Sequence, residues 1–450
     1  MFNDNYLKYT KAYLILSLSL SWLAGCTGES PPGMDGAAVN QASDSRQEPS
    51  RLRAEAVRHL PHTAVADYLL LDDFDQDGLT DIAFTFHAAN HAQLFRHLPG
   101  REWQAGPNTA LGFHPGELLK APDVNGKKHY LQLAEGEKAL RVLSPVADGD
   151  FRLVAEIGAT YPRAGAWFRW PGWGQGLAFA PYKQAKIILV QDLAVETLTF
   201  ASQVSLPFTP SFSAVQQVAA VDIDGDEIDE ILFADAKLSR VMQISYPGSD
   251  GVPSIRNLWS FEEQGAGREV IPADVDQDGD VDLIIPDQRA QVNTGLVAVN
   301  ILTNMGSAGW EPRTITIRTR DVGGVDQGLQ ATAAGIDHDD HALILAAAPD
   351  RLTLVRLPAG WKGEGEGEDQ ALRQINLDSK WGFSSAALMD VDNDGWLDAV
   401  LAARIDKAAS GQGLVVYGPL WPHFAELIET DLLPTAAPGA LALPGDKPAD

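Results

Sequence analysis

A short acidic loop recurs along the chain about every fifty residues, and this interval constrains the fold more than any other feature of the sequence. One full copy, "DVDQDGDVDLIIPD" at 274–287, places Asp274, Asp276 and Asp278 at loop positions 1, 3 and 5, Gly279 at 6 and Asp282 at 9. Side chains at 1, 3 and 5 of a tight loop can converge on one point, and glycine at 6 permits the sharp turn. Oxygen-only ligation of this kind suits Ca²⁺. An EF-hand would need a bidentate Glu at position 12 and a helix on either side. Here position 12 is Ile285, and the apolar run "LIIP" reads as a strand.

Three further copies are full. "DFDQDGLTDIAF" carries Asp73, Asp75, Asp77, Gly78 and Asp81, and "DVDNDGWLDAVL" carries Asp390, Asp392, Asp394, Gly395 and Asp398. "DIDGDEIDEILF" carries Asp222, Asp224 and Asp226, with Glu230 at position 9 and Glu227 where glycine is expected. Two loops are weaker echoes: one starts at Asp123 with Asn125 and Gly126, the other at Asp337 with Asp339, His341 at position 5 and Leu345 at position 9. "PGWGQGLAFAP", near residue 172, keeps the turn and the strand but has no carboxylate.

The loops begin at 73, 123, about 172, 222, 274, 337 and 390, which defines seven units. Each unit runs strand, loop, strand, polar turn, strand, strand; in the fifth these are "EVIPADV", "VDLIIP", "LVAVNILT" and "EPRTITI". A fixed period of this size marks units that must stack on neighbours to bury their faces. Seven four-stranded antiparallel units fall within the range that closes a ring. The expected fold is an all-β, seven-bladed β-propeller over residues 61–430.

The chain ends read differently. Residues 1–25 place Lys8 and Lys11 ahead of "AYLILSLSLSW" and then "LAGC", the pattern of a cleaved signal peptide. "LAGC" resembles the lipobox of bacterial lipoproteins, in which the cysteine, here Cys26, takes a diacylglycerol; an ordinary signal peptide is the alternative. In such lipoproteins a residue other than Asp after the cysteine, here Thr27, implies delivery to the outer membrane, facing either the periplasm or the outside. Cys26 is the only cysteine, so no disulfide can form. Residues 26–60 then read as a lipidated tether, and 431–450 as a loosely ordered tail. The net charge of −27 repels phosphate backbones, so nucleic acid is excluded as a partner. Crowded carboxylates resist packing unless a cation intervenes.

The loops, the period and the blade count together resemble the FG-GAP/VCBS repeat family, whose propellers also occur in integrin α-chains. "NILTNMGSAGWEPRTI", with Asn304, Gly306, Gly309 and Trp310, resembles the turn between third and fourth strands in bacterial members. The resemblance implies Ca²⁺ in the first hairpin of a blade. It assigns as ligands the side chains at positions 1, 3, 5 and 9 of the four full loops, and the backbone carbonyls at position 7: Leu79, Ile228, Asp280 and Trp396. Glu227 makes the fourth-blade loop the most divergent. A bland alternative is that Asp-Gly turns simply face water. Extracytoplasmic sites of this kind bind Ca²⁺ with Kd on the order of 10⁻⁴ to 10⁻³ M.

Other clusters offer less. "AWFRWPGWGQG" gathers Trp167, Phe168, Arg169, Trp170 and Trp173, which could contact a sugar; on a strand at least one alternate pair should instead pack between blades. His87, His91 and His97, and His338 with His341, read as water-facing side chains rather than a zinc or copper site. The glycine and glutamate run at 360–370 reads as a solvated loop. No catalytic motif is found: there is no Gly-x-Ser-x-Gly, no His-Glu-x-x-His, no phosphate loop and no cysteine nucleophile. The leading functional expectation is therefore a lipid-anchored, calcium-binding, monomeric propeller that offers a non-enzymatic scaffold to protein or glycan partners. A calcium-dependent polysaccharide lyase or hydrolase and an accessory subunit of an envelope assembly are the alternatives.

Overall fold

The apolar runs that follow the acidic loops are buried on both faces. In the strand Asp282–Pro286, Leu283 and Ile285 pack with the preceding unit while Ile284 packs with the following one. Side chains alternate across a strand, so a strand sandwiched between two sheets must be apolar at every position. That is why these segments read as continuous runs and not as alternating ones.

The computed structural model describes residues 56–433, apart from 63, 147–148, 209–214, 216, 236–239, 249–250, 262–268, 288–295, 319–327, 362–370, 378–380 and 406–410. The strands form seven four-stranded antiparallel sheets, the expected seven-bladed propeller. Blades one to six span 68–110, 118–158, 162–207, 219–260, 271–318 and 331–376, each with its strands paired in chain order. Blade seven takes three strands from 381–416, and its fourth is Val57–Pro61, paired antiparallel with Gln412–Val416. The ring thus begins four residues ahead of 61 and is closed by the two ends of the described chain lying in one sheet.

The core follows the ring. Seven apolar clusters occupy the seven seams, each drawing from two neighbouring blades. The seam between blades seven and one, for example, joins Val415, Tyr417 and Val400 to Leu69, Ile82 and Phe84. Outermost strands are wetter: in Glu102–Ala110 no residue is fully buried. After the last strand a helix, Leu420–Glu426, buries Leu420 and Phe424, one turn apart, against the outer part of blade six. A second, Glu429–Leu432, follows it.

The acidic loops all join first to second strands, so they share one rim with the turns between third and fourth strands. Residues 1–25, Cys26, most of the tether, the tail from 434 and residues 362–370 lie outside the described residues.

Candidate metal centres

Each full loop is built around its position-9 acid, which is the first residue of the blade's second strand: Asp81, Glu230, Asp282 and Asp398. One carboxylate oxygen accepts the N–H of position 2, closing the loop: Phe74 to Asp81 at 2.9 Å, Ile223 to Glu230 at 3.4 Å, Val275 to Asp282 at 2.9 Å and Val391 to Asp398 at 2.8 Å. In three blades the other oxygen accepts an N–H from beyond the loop, from His97, Asn304 or Gly418, at 2.6–2.7 Å. The side chain at position 9 thereby ties together the loop, the second strand and the chain leaving the third.

Position 1 shapes the turn. Asp73, Asp222 and Asp390 accept N–H groups of positions 5 and 6, and Asp274 accepts that of Gly279. At position 6 glycine takes φ of 91–97°, a region closed to other residues, whereas Glu227 settles at 66° in the left-handed basin that an L-residue can enter. Position 5 does local work: Asp77, Asp226, Asp278 and Asp394 each accept the N–H of position 7, from Leu79, Ile228, Asp280 and Trp396, at 2.8–3.0 Å.

The structure brings positions 1, 3 and 9 together. In each of four groups, Asp73, Asp75 and Asp81; Asp222, Asp224 and Glu230; Asp274, Asp276 and Asp282; Asp390, Asp392 and Asp398, one oxygen per residue lies within 4.8 Å of the others. Oxygens bound to one Ca²⁺ at about 2.3–2.6 Å cannot be further apart than about 5 Å, so these donors fit a hard cation. In the fifth blade Asp274 Oδ1 and Asp276 Oδ1 are buried with no hydrogen-bond partner among the described residues, a costly condition for a carboxylate. Burial is also what pushes the four position-9 carboxyls up to about 7, against the backbone N–H bonds that lower them and with help from neighbouring acids.

Cationic side chains from other strands flank each loop. Arg101, from the turn between third and fourth strands of blade one, reaches Asp392 at 2.6 Å and Asp394 at 2.9 Å in blade seven. Lys128 of blade two lies 3.7 Å from Asp73 and bonds its carbonyl, and Arg96 lies 3.5 Å from Asp75. Arg313 sits 3.9 Å from Asp276. The sixth blade goes further: Arg356 Nε is 3.2 Å from Asp337, at position 1, and Nη2 is 3.0 Å from Asp339, at position 3. A tethered guanidinium answers the acids of the loop that lacks a position-9 carboxylate.

The aromatic cluster of blade three divides as strand alternation requires. Phe168 and Trp170 are buried in the seam with blade four, while Trp167 packs half-buried toward blade two and Arg169 is exposed. Trp173 lies half-buried beside Phe168 and Trp170. Arg169 and Trp170 together hold Asp229 of the fourth-blade loop: the Arg169 N–H donates to its carboxylate at 2.7 Å, and Trp170 Nε1 donates to its carbonyl at 2.7 Å. The histidines do not behave as one group. His97 is buried and stacked on Trp103, and His87 meets His114, a partner that no sequence pattern suggested, with their Nδ1 atoms 3.2 Å apart.

No family profile matches the chain, and no curated protein matches it. Among solved structures, one titled "Crystal structure of BBS1N in complex with ARL6DN, soaked with lead" aligns with 80% of this chain and 98% of that chain, at 9% identity and a TM-score of 0.49.

Proposed function

We propose that the protein is a calcium-stabilised propeller, carried by a lipid on Cys26 at the bacterial envelope, whose rims serve as a non-enzymatic scaffold for protein or glycan partners. The observation that carries the calcium reading is the fourfold recurrence of the same convergence at positions 1, 3 and 9, with two buried carboxylate oxygens in the fifth blade that no described residue bonds. Asp and Glu oxygens at these three positions, a second oxygen of Asp77, Asp226, Asp278 and Asp394 at position 5, and the carbonyls of Leu79, Ile228, Asp280 and Trp396 would hold the ion, which would supply the positive charge that the packed acids need. Titration calorimetry on the full chain, with melting in chelator beside it, tests this: heat of Ca²⁺ uptake and a lower melting temperature in chelator are expected. Absence of both refutes it. The anchor is tested by palmitate labelling, which Cys26→Ser should abolish.

One cavity favours the enzymatic alternative. At the seam of blades one and two a space of about 630 Å³ is lined by Asp75 and Asp77 together with Arg96, Lys127 and Lys128. Cations beside a metal loop could neutralise an acidic glycan and assist proton abstraction. Incubation with a panel of uronic-acid polysaccharides decides; the lyase reading fails when none yields an unsaturated product.

A further inference from the structure

A second cavity, of about 210 Å³, lies between blades six and seven on the same rim. Its walls combine Trp396, Trp421, Arg356, Asp337 and Asp339 with apolar leucine and proline side chains. Each element brings one part. The degenerate sixth loop supplies Asp337 and Asp339, the third strand of blade six supplies Arg356, the seventh acidic loop supplies Trp396, and the helix Leu420–Glu426 supplies Trp421.

Both indoles are half-buried and held in place. The Arg373 guanidinium lies over the Trp421 ring at 4.4 Å and donates to its carbonyl, with Arg356 5.8 Å from the same ring, while the Trp396 ring packs against His338 at 4.9 Å between centroids. The Asp339 carboxylate is 55% exposed and lies 3.0 Å from Arg356 Nη2, so an acceptor and a donor stand side by side at the cavity wall. A packing defect between blades would be apolar and dry. This space carries aromatic faces together with a paired carboxylate and guanidinium.

We propose that the cavity binds one uncharged hexopyranose ring, the terminal residue of a glycan. An indole face takes the apolar C–H face of such a ring, and adjacent carboxylate and guanidinium groups match the acceptors and donors of neighbouring hydroxyls. The volume lies below the ~300–1,000 Å³ typical of drug-sized ligands, which restricts the occupant to a single ring. Charge restricts it further. Arg356 is already shared between two acids, Asp337 at 3.2 Å and Asp339 at 3.0 Å, so it has little charge left for a uronate carboxylate, which the exposed Asp339 would also repel. A single ring at ordinary ligand efficiency gives a Kd on the order of 1 mM.

The inference rests on the glycan side of the scaffold reading and not on its calcium side. Saturation-transfer NMR on the full chain tests it, with the methyl β-glycosides of glucose, galactose and mannose as probes and methyl β-glucuronide as the charged comparator. Transfer to the ring C–H protons of at least one uncharged probe is expected, exceeding that to the glucuronide and weakened roughly tenfold by Trp421→Ala. Asp339→Ala, at an exposed side chain, should weaken it too without disturbing the fold. No transfer from any of the three uncharged probes, a preference for the glucuronide, or transfer that survives both substitutions overturns the proposal. Calcium uptake by calorimetry is a separate readout, so failure of the metal reading and failure of this one are told apart.

Discussion

A single side chain, the position-9 acid, decides whether a loop belongs to the blade or merely connects it. Asp81, Asp282 and Asp398 are completely buried, and each accepts two backbone N–H bonds. Their ordinary value is 3.8, and burial in the metal-free fold raises it to about 7. Between these limits each of these acids holds more proton in the folded chain than in the unfolded one, so their contribution to metal-free stability is fully present below about pH 4 and is lost as pH rises to about 7. In chelator the melting temperature should therefore drop across that window, Ca²⁺ should restore it at pH 7, and Asp398→Asn should flatten the slope; melting curves at a series of pH values check all three. Backbone strain is also local. Glu227 occupies a left-handed position where the other three loops have glycine, so Glu227→Gly is expected to stabilise by about 0.5–1 kcal/mol, measured by denaturant unfolding.

At the scale of the element, the hairpins show what each blade does with crowded acids. Positions 1, 3 and 9 lie within nine residues, and for that reason the four clusters were legible before any fold was known. The local bond at position 5 was not legible, because nothing in the sequence distinguishes an Asp that also accepts the N–H two residues on from one that does not. The sixth hairpin was legible only as a loss, with Leu345 where an acid is needed. Its answer, Arg356, comes from the neighbouring strand. Arg356→Leu leaves Asp337 buried beside Asp339 without a counter-charge. It should cost about 2–4 kcal/mol in denaturant unfolding, less than a fully buried pair because the guanidinium is partly solvated, and Ca²⁺ should not rescue it.

At the scale of the whole molecule, seven seam clusters join each blade to the next, and the strand Val57–Pro61 closes the ring. Val57 and Leu60 are buried, one in the seam with blade six and the other in the seam with blade one. Removing residues up to 61 exposes the edge of Gln412–Val416 and forfeits two aliphatic side chains worth about 1.5–3 kcal/mol each. A chain starting at 62 should melt lower and self-associate, as light scattering after gel filtration would show. A monodisperse species with unchanged melting would mean that the ring closes without this strand.

The sequence by itself determined the blade number, the strand order within a blade and the three-carboxylate clusters. Those properties are set by residues close along the chain, where turn chemistry and apolar runs act over a few positions. Tertiary structure decided how the ring closes, which cation faces which loop, and where aromatic rings meet polar pairs. Arg101 and Asp392 are 291 residues apart, and Val57 pairs with Val416; such partners share no local pattern. A side chain's neighbours across a seam depend on how whole sheets pack, and only the closed ring brings those surfaces together.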